Sequence, residues 1–509
     1  MERMIRCQLV ELKLRLTTVS CEYGNSLLDM LRLLTPILLS VAVLGTAFRS
    51  NAFSLLGPFA IEAGGTVWQI ERIGYNLPGD IGGPMNAAAG EEYRWNTPNL
   101  IYGYDAAFMS FFGSKGFQEI EKSIKLMNDL PAASLLNVED YPMTAERANF
   151  RAAALGLVDL KSTALSVLLE ELGLASPNRW VYALRNRYQP GPPRFPVFFT
   201  VIRRNFDPVT AAESIFINGR MWTYIDIFDL DTPARSFTIN TTVDPLDFGR
   251  FDPVASAFDG GGFGLGSFFT GLTRDDVGAI KFMYQAANRN SEAVIPGSTN
   301  AGFTPTGGGG GGGAPWSIPS TNVIVVPGVP TGTLIDPVLR LGVDKLNFVR
   351  GEYDSILGQF FTPITNVYVD RFVTNGVERS QAVLRVVTVP DILFTAADLN
   401  AAAEPGGIPA SLFARTVTGG WQNDDNIGQV AFRHAGPGVI LPPVSITFNN
   451  VGFINIDVAT SFTGNAVLGF NALPYILYGA FDGSTNDPVV FSQGGNVTLQ
   501  QLEQLRLGQ

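Results

Sequence analysis

The stretch LGLVDLKSTALSVLLEELGLASP, residues 155–177, carries the clearest amphipathic helix pattern in the sequence. One face of that helix is apolar at the required three-to-four residue spacing, with Leu157, Val158, Leu165, Leu168, Leu169 and Leu172. The opposite face is predicted to be solvated and carries Asp159, Thr163, Ser166 and Glu170. Gly173 is a natural helix stop, and Pro177 prevents the helix from resuming. Such a helix is typical of the back wall of a protein core.

The composition favours an exported protein rich in β-strands. A chain of 509 residues exceeds the size at which single cores stop growing, so two or three domains are expected. Only 16% of the residues are charged, against about 25% in typical soluble domains. The net charge of −11 and the lack of any basic run argue against nucleic acid or anionic lipid as a partner.

The first 52 residues read as a signal peptide. The apolar run LLTPILLSVAVLGTA, residues 33–47, has the length of a signal-peptide core and is short for a membrane span. Ser50 and Ala52 are the small residues that a signal peptidase reads, so we expect cleavage after Ala52. The preceding region is long, which suggests that Met30 is the true start and that residues 1–29 are a gene-model extension. The alternative is a short membrane anchor or a buried core helix.

Cleavage there would remove both cysteines, Cys7 and Cys21. The mature chain would then form no disulfide and would have neither a catalytic thiolate nor a cysteine ligand for zinc. We therefore expect a secreted protein, periplasmic or at the cell surface, without a stable membrane span after cleavage.

Residues 53–290 are predicted to form an α+β domain. Alternating residues in 95–105 predict a strand, and FQEIEKSIKLMNDL, residues 117–130, predicts a helix. Asn218-Gly219 is a hairpin signal. In TRDDVGAIKFMY, residues 273–284, Thr273 and Asp276 form a capping-box pattern at the start of a closing helix.

The remainder is predicted to be a flexible linker and an all-β domain. Residues 291–322 include seven consecutive glycines, 307–313, which favour a linker. Residues 323–509 alternate short strand patterns with turn residues, including a hairpin at Asn375-Gly376, and favour a sandwich-like domain. A short helix is predicted for residues 498–507.

Three stretches together resemble parts of a matrixin-type zinc protease, a member of the metzincin class. They are the strand at 95–105 with the helix at 117–130, the amphipathic helix pattern at 155–177, and the closing helix LTRDDVGAIKFMY. Alignment of Gly173 with the glycine of H-E-x-x-H-x-x-G-x-x-H puts Ser166, Glu170 and Ser176 at the three zinc-ligand positions. Val167 then stands at the position of the general base.

The resemblance therefore implies a degenerate, inactive site, with no zinc expected. Zinc hydrolysis needs three imidazole ligands and a carboxylate that accepts a proton from the bound water. Two hydroxyls, one carboxylate and a valine do not supply that chemistry, and no convincing Met-turn is present, since Met221 falls in a predicted strand. The layout also resembles a group of uncharacterised exported bacterial proteins, which implies a compartment and no activity.

Other candidate sites are weaker. Asp226, Asp229 and Asp231 offer oxygen ligands for calcium, although their spacing fits no EF-hand and aspartate is common in turns. His434 is the only histidine, so a Ser-His-Asp triad would depend on it. The adjacent pairs Glu170-Glu171 and Glu139-Asp140 are expected to lie on solvated faces.

The leading hypothesis is an exported non-catalytic protein with a binding or cell-envelope and extracellular structural role. Its partner would be an extracellular protein or polysaccharide. The alternative is an exported hydrolase, a protease or a glycosidase, that uses acidic residues.

Overall fold

The largest sheet joins strands that lie far apart in the sequence. The computed structural model describes residues 52–57, 84–191, 196–231, 234–244, 246, 253–256, 264–301, 334–335, 338–354, 360–396, 416–423, 437–448, 477–491 and 498–507. With strands numbered along the chain, this sheet contains β2 (Tyr93–Arg94), β3 (Asn99–Tyr104), β16 (Asn347–Arg350), β21 (Ile392–Thr395), β22 (Thr416–Asn423) and β23 (Gly438–Thr447). β3 pairs in parallel with both β16 and β21, and β23 pairs in parallel with β21 and β2. Only β22 is antiparallel to its neighbour.

A second sheet is entirely antiparallel. Its strands are β13 (Arg289–Glu292), β14 (Ser298–Asn300), β15 (Val338–Leu341), β19 (Ile364–Thr374) and β20 (Val377–Val387), in the order β13-β15-β19-β20-β14. The predicted hairpin at Asn375-Gly376 is confirmed, because both residues have positive φ between β19 and β20.

Smaller sheets surround these two. They are β1 (Ser54–Leu55) with β6 (Leu174–Ala175), β4 (Glu146–Ala148) with β12 (Ser267–Phe269), β7 (Ala183–Tyr188) with β8 (Phe198–Ile202), and β17 (Tyr353–Asp354) with β18 (Phe360–Phe361). Three-stranded sheets are formed by β5 (Leu157–Asp159), β24 (Leu477–Ala480) and β25 (Val489–Val490), and by β9 (Phe216–Ile217), β10 (Arg220–Asp231) and β11 (Ala234–Thr242). The predicted hairpin at Asn218-Gly219 joins β9 to β10 with two positive φ values.

The α-helices of the described residues are α1 (Ala106–Asn128), α2 (Phe150–Leu155), α3 (Leu160–Glu171), α4 (Pro177–Trp180), α5 (Arg274–Tyr284) and α6 (Leu499–Leu507). Asp105 caps α1 by accepting the Phe108 N–H at 2.7 Å. The predicted capping box of α5 is confirmed, with Thr273 and Asp276 as its partners. None of the helices in the described ranges is long and apolar enough to cross a membrane.

The predicted division into two domains is corrected by this topology. Strands on both sides of the predicted linker share the largest sheet, and β5 pairs with β24 across more than half of the chain. Residues 50–509 accordingly form one mixed α/β unit with parallel and antiparallel sheets. The physical reason is that β3 needs a partner on each edge to pair its backbone groups, and the later strands supply both.

The predicted linker is also corrected in part. Residues 291–301 include the end of β13 and all of β14, so they belong to the five-stranded sheet. The seven glycines lie outside the described residues, as do residues 1–51 of the predicted signal peptide. Ala52 is buried, and its N–H donates to Asp275 Oδ1 at 2.9 Å.

An aromatic cluster joins helix α1 to the C-terminal third of the chain. The ring of Phe112 lies 5.6 Å from Phe448, 5.7 Å from Tyr478 and 5.4 Å from Phe491. Phe108 extends the cluster to Phe448 at 5.8 Å. Edge-to-face contacts of this kind stabilise the fold beyond the apolar area that they bury, so they hold α1 against strands that lie more than 300 residues later in the chain.

Candidate functional site at the end of the central helix

Helix α3 is buried on all sides, which corrects the predicted amphipathic pattern. The expected apolar face is confirmed at Leu165, Leu168, Leu169 and Leu172, which are fully buried. The expected solvated face is wrong, because Asp159, Thr163, Ser166 and Glu170 are buried as well. The helix packs against α1, β12, β24 and residues 254–256.

Local hydrogen bonds explain how the first turn of α3 tolerates burial. Asp159 is the N-cap and accepts the Ser162 N–H at 2.9 Å, while the Thr163 hydroxyl donates to the Asp159 carbonyl at 2.8 Å. Side chains that bond to nearby backbone satisfy themselves without water. The same pattern explains why the helix begins late. Gly156 ends α2 with φ of 72°, and Leu157 and Val158 lie in strand β5.

Two side chains from other elements close the C-terminal end of α3. The indole Nε1 of Trp95 donates to the Glu171 carbonyl, and the Tyr284 hydroxyl donates to the Leu172 carbonyl, both at 2.7 Å. These bonds satisfy carbonyls that a helix leaves without an intrahelical partner. The end of α3 is therefore held by Trp95, which follows β2, and by Tyr284, which is the last residue of α5.

Gly173 turns the chain away from the helix, as predicted. Its φ of 98° is in the left-handed region, and an added Cβ would lie 2.2 Å from the Tyr93 carbonyl oxygen. Only glycine fits here without displacing backbone. After the turn, β6 leads directly to Ser176 and to helix α4, which has Pro177 in its first turn.

The structure buries all four sequence-predicted zinc-helix positions. Ser166 and Glu170 are four residues apart and therefore on one face of α3, Val167 lies next to Ser166, and Ser176 follows the glycine turn. The Ser166 and Ser176 hydroxyls have no hydrogen-bond partner among the described residues. A buried hydroxyl without a partner is costly, so both hydroxyls belong to the buried polar atoms that need an explanation.

Glu171 is a further unsatisfied group at this end of the helix. Both of its carboxylate oxygens are buried and lack a partner among the described residues. Burial raises the pKa of Glu171 well above its usual value, and the negative charge of Glu170 raises it further. The neutral carboxylic acid is thus the favoured form, in which Glu171 is able to donate a proton or a hydrogen bond.

The prediction that both acidic pairs lie on solvated faces is confirmed for one pair and wrong for the other. Glu139 and Asp140 are exposed, as predicted, but Glu170 and Glu171 are buried. Neighbours on a helix do point in different directions, yet α3 has no solvent side to which either could point. We therefore define the buried polar end as Ser166, Glu170, Glu171 and Ser176.

Two aspartates of α5 hold the segments that border this region. Asp276 accepts the N–H groups of Val254 and Ala255 at 3.0 Å, and residues 254–256 contact α3, β6 and α4. Asp275 accepts the N–H groups of Ala52 and Asn218 at 2.9 and 2.6 Å. Burial raises the pKa of both carboxyls, and these hydrogen bonds oppose the rise.

Sequence reasoning missed these long-range roles of Asp275 and Asp276. It placed both residues in the favourable first turn of the closing helix and gave Asp276 one further role, as the capping-box partner of Thr273. A usable signal was present, because the capping box uses Asp276 and gives Asp275 no local role.

The three aspartates of the predicted calcium site lie on one long strand. The backbone of Asp226, Asp229 and Asp231 belongs to β10, and the Asp226 side chain is exposed. The side chains of Asp229 and Asp231, and the whole of His434, lie outside the described part of the chain. Where side chains are described, no group of three or more His, Cys, Asp or Glu residues is placed to hold a metal ion.

A buried ion network is the main feature that sequence reasoning did not find. Arg94 Nε lies 2.7 Å from Glu292 Oε1, and Arg340 Nε lies 3.1 Å from Asp370 Oδ2. Arg340 also donates to the Glu292 carbonyl, which links the two pairs. We call Arg94, Glu292, Arg340 and Asp370 the buried ion network. It joins β2 of the largest sheet to β13, β15 and β19 of the five-stranded sheet.

The comparisons add no relative to this description. The chain matches no protein-family model, no curated protein and no solved structure.

Proposed function

We propose that this chain is an exported, non-catalytic protein with a binding or structural role in the cell envelope or outside the cell, built on an inactive metalloprotease-like scaffold. The observation that carries the proposal is the identity of the buried residues at the zinc-helix positions. Ser166, Glu170 and Ser176 are two hydroxyls and a carboxylate, and Val167 replaces the base. That set lacks the imidazoles and the proton acceptor of a zinc hydrolase.

The local geometry supports the scaffold part of the proposal. A strand, β3, leads into helix α1, and a buried helix, α3, ends at a glycine with positive φ before the third ligand position. Helix α5 then begins with its capping box and contacts β6. This order of elements supports the metzincin-like outline that we propose from the sequence resemblance, and the sandwich-like character of residues 323–509 is likewise part of the proposal.

The export part rests on sequence features. A signal-peptide core precedes Ala52, the charged fraction is low, and both cysteines lie in the segment to be removed. An extracellular protein or a polysaccharide is the partner class that suits this compartment and the acidic net charge.

A hydrolase that uses acidic residues is the second candidate. The observation in its favour is Glu171, whose raised pKa beside Glu170 is typical of a general acid. The observation against it is burial, because substrate has no access to a side chain that is 1% exposed. Activity on casein or polysaccharide that is lost in Glu171→Gln, but not in the exposed control Glu352→Gln, would favour the hydrolase.

Restoration of the zinc ligands tests the leading proposal. The triple variant S166H/E170H/S176H supplies three imidazoles on the framework described above, and we expect it to bind one zinc ion per chain. The unmodified chain should retain no zinc after dialysis, and the double variants E170H/S176H and S166H/E170H should bind more weakly than the triple variant. The measurement is equilibrium dialysis with elemental analysis, and circular dichroism checks that each variant is folded.

Two results would each reject one part of the proposal. Stoichiometric zinc in the unmodified chain would contradict the inactive site. A folded triple variant without zinc affinity would contradict the metalloprotease-like scaffold, because its three side chains would not converge.

A further inference from the structure

The five-stranded sheet has a run of aliphatic side chains on its outward side. Its inward positions combine buried apolar residues with buried polar ones, and the polar ones include Asn290, Glu292, Arg340, Asn366, Asp370, Gln381 and Arg385. The outward positions of the same strands include Leu339, Thr365, Val367, Val369, Val373, Leu384 and Val386. The solvated side of an antiparallel sheet normally carries polar residues, so these outward aliphatic side chains need an explanation.

The inward polar side chains are accounted for within the chain. Arg340 pairs with Asp370, Gln381 Nε2 donates to Asp370 Oδ2 at 2.8 Å, and Arg385 pairs with Asp391. These contacts explain the inward polarity. They do not explain the valines that face out.

The outward residues form continuous rows across the strands. Val367 lies opposite Leu384, Thr365 opposite Val386, and Leu339 opposite Val373. Facing residues of antiparallel strands point to the same side, so these rows make one surface, which we call the valine face. Val369 at its centre is 50% exposed. Isolated surface valines are ordinary, but contiguous rows of them are typical of an interaction surface.

The charged residues of the valine face lie toward one end. Arg371 and Glu378 form an ion pair there at 2.6 Å, and Arg289 lies on the edge strand β13. The rows from Thr365 to Val369 carry no charge. A surface of this kind offers little to a nucleic acid or an anionic lipid, and it fits another pleated apolar surface best.

We propose that the valine face packs against the same face of a second copy of this chain. A two-fold interface requires a patch that is complementary to itself, and two identical twisted sheets pack face to face at the usual aligned angle. The size of the face agrees with this occupant. Strands of 11 residues span about 37 Å, and five strands span about 20 Å, which gives roughly 500–700 Å² with the shorter strands allowed for. Standard interfaces bury about 600–1,000 Å² per partner, and the valine face lies at the lower end of that range.

The test is the oligomeric state of the full-length processed chain over a range of micromolar concentrations, measured by light scattering and sedimentation velocity. We expect a dimer, and we expect Val369→Lys to weaken it by roughly 100-fold, because each copy would bury an unpaired charge. The matched control is Val209→Lys, at a valine that is 81% exposed in a turn outside the sheet, and it should leave the dimer unchanged.

A milder variant guards against misfolding. V367T/V369T keeps the branched shape that strands favour and introduces no charge, and it should weaken the dimer by roughly tenfold. A monomer at every concentration would overturn the proposal, including a monomer whose valine face binds vesicles or another protein. A dimer that survives Val369→Lys would overturn it too, because the interface would then lie elsewhere.

Discussion

The buried polar end of α3 and the buried ion network are equally hidden from solvent but differ in how their polar groups are satisfied. In the network, Arg94 faces Glu292 and Arg340 faces Asp370. At the end of α3, the Ser166 and Ser176 hydroxyls and both oxygens of Glu171 find no partner among the described residues. In the network, Glu292 Oε2 is also without such a partner, but Glu292 Oε1 is paired with Arg94. Burial alone therefore does not separate a structural polar group from a candidate site, and the difference lies in whether the carboxylate has any partner at all.

The two regions also differ in the pKa of their buried glutamate. Burial raises the pKa of both Glu292 and Glu171, but the positive charges of Arg94 and Arg340 hold the pKa of Glu292 to about 7. Among the described residues, no cation opposes the rise in the pKa of Glu171, and the charge of Glu170 adds to it. A paired carboxyl inside a protein stays close to ionisation at neutral pH, and an unpaired one is neutral.

The largest effect is expected from breaking the network. Arg340→Met leaves Asp370 without its cation in the interior and should lower the free energy of unfolding by about 3–5 kcal/mol. The matched control is Arg371→Met on the neighbouring strand, which breaks an exposed pair with Glu378 and should cost no more than about 1 kcal/mol. Urea unfolding measures both. Equal losses in the free energy of unfolding of the two variants would show that burial does not increase the contribution of the Arg340–Asp370 pair to stability.

An intermediate, pH-dependent effect is expected at Glu171. Its folded pKa is above the usual 4.5, so the folded chain holds a proton that the unfolded chain releases, and stability falls as the pH rises above about 4.5. One such proton contributes about 1.4 kcal/mol per pH unit to that fall. Glu171→Gln cannot ionise, so its stability should fall less steeply with pH than that of the unmodified chain, with little difference near pH 4.

The control for this prediction is the exposed Glu352→Gln, which should follow the unmodified chain. The measurement is the urea-unfolding free energy at several pH values from 4 to 8. Parallel curves for the Glu171→Gln variant and the unmodified chain would mean that Glu171 is ionised in the fold, with a partner at its carboxylate.

The smallest effect is expected at Ser166, and it gives the closest comparison. Ser162 and Ser166 are both fully buried one turn apart, but the Ser162 hydroxyl accepts the Phe269 N–H at 2.7 Å, whereas the Ser166 hydroxyl has no partner in the part of the chain that the structure describes. Ser162→Ala should cost about 1–3 kcal/mol, and Ser166→Ala should change stability by less than about 0.5 kcal/mol or increase it. Thermal and urea unfolding give both values. A comparable loss at Ser166 would indicate a bound water or ligand at its hydroxyl.

The elements with local signals were predicted well. The Thr273 and Asp276 capping box and the two Asn-Gly hairpins each depend on contacts within a few residues, and all are present. The apolar face of α3 and its stop at Gly173 were predicted for the same reason. The candidate positions Ser166, Glu170 and Ser176 could be named from spacing alone, although not their surroundings.

The errors share one cause. Three predictions were wrong: that one face of α3 is solvated, that Glu170 and Glu171 are exposed, and that a separate domain follows the glycine run. Each of them assumed that the first half of the chain is complete in itself. In the structure, β24 pairs with β5, and β16 and β21 pair with β3, so later residues cover surfaces that would otherwise be wet. Nothing within a short window of sequence identifies such a partner.

The sequence by itself determined the capping box of α5, the stop of α3 at Gly173, where two hairpins turn, and which residue types stand at the zinc-helix positions, because caps, glycine conformations and side-chain chemistry are local properties. Only the tertiary structure decided where α1 and α3 begin, that Glu171 is buried with no partner among the described residues, and that Arg94 meets Glu292. Those outcomes depend on pairing between strands hundreds of residues apart, and the free energy of burial is shared among all of them.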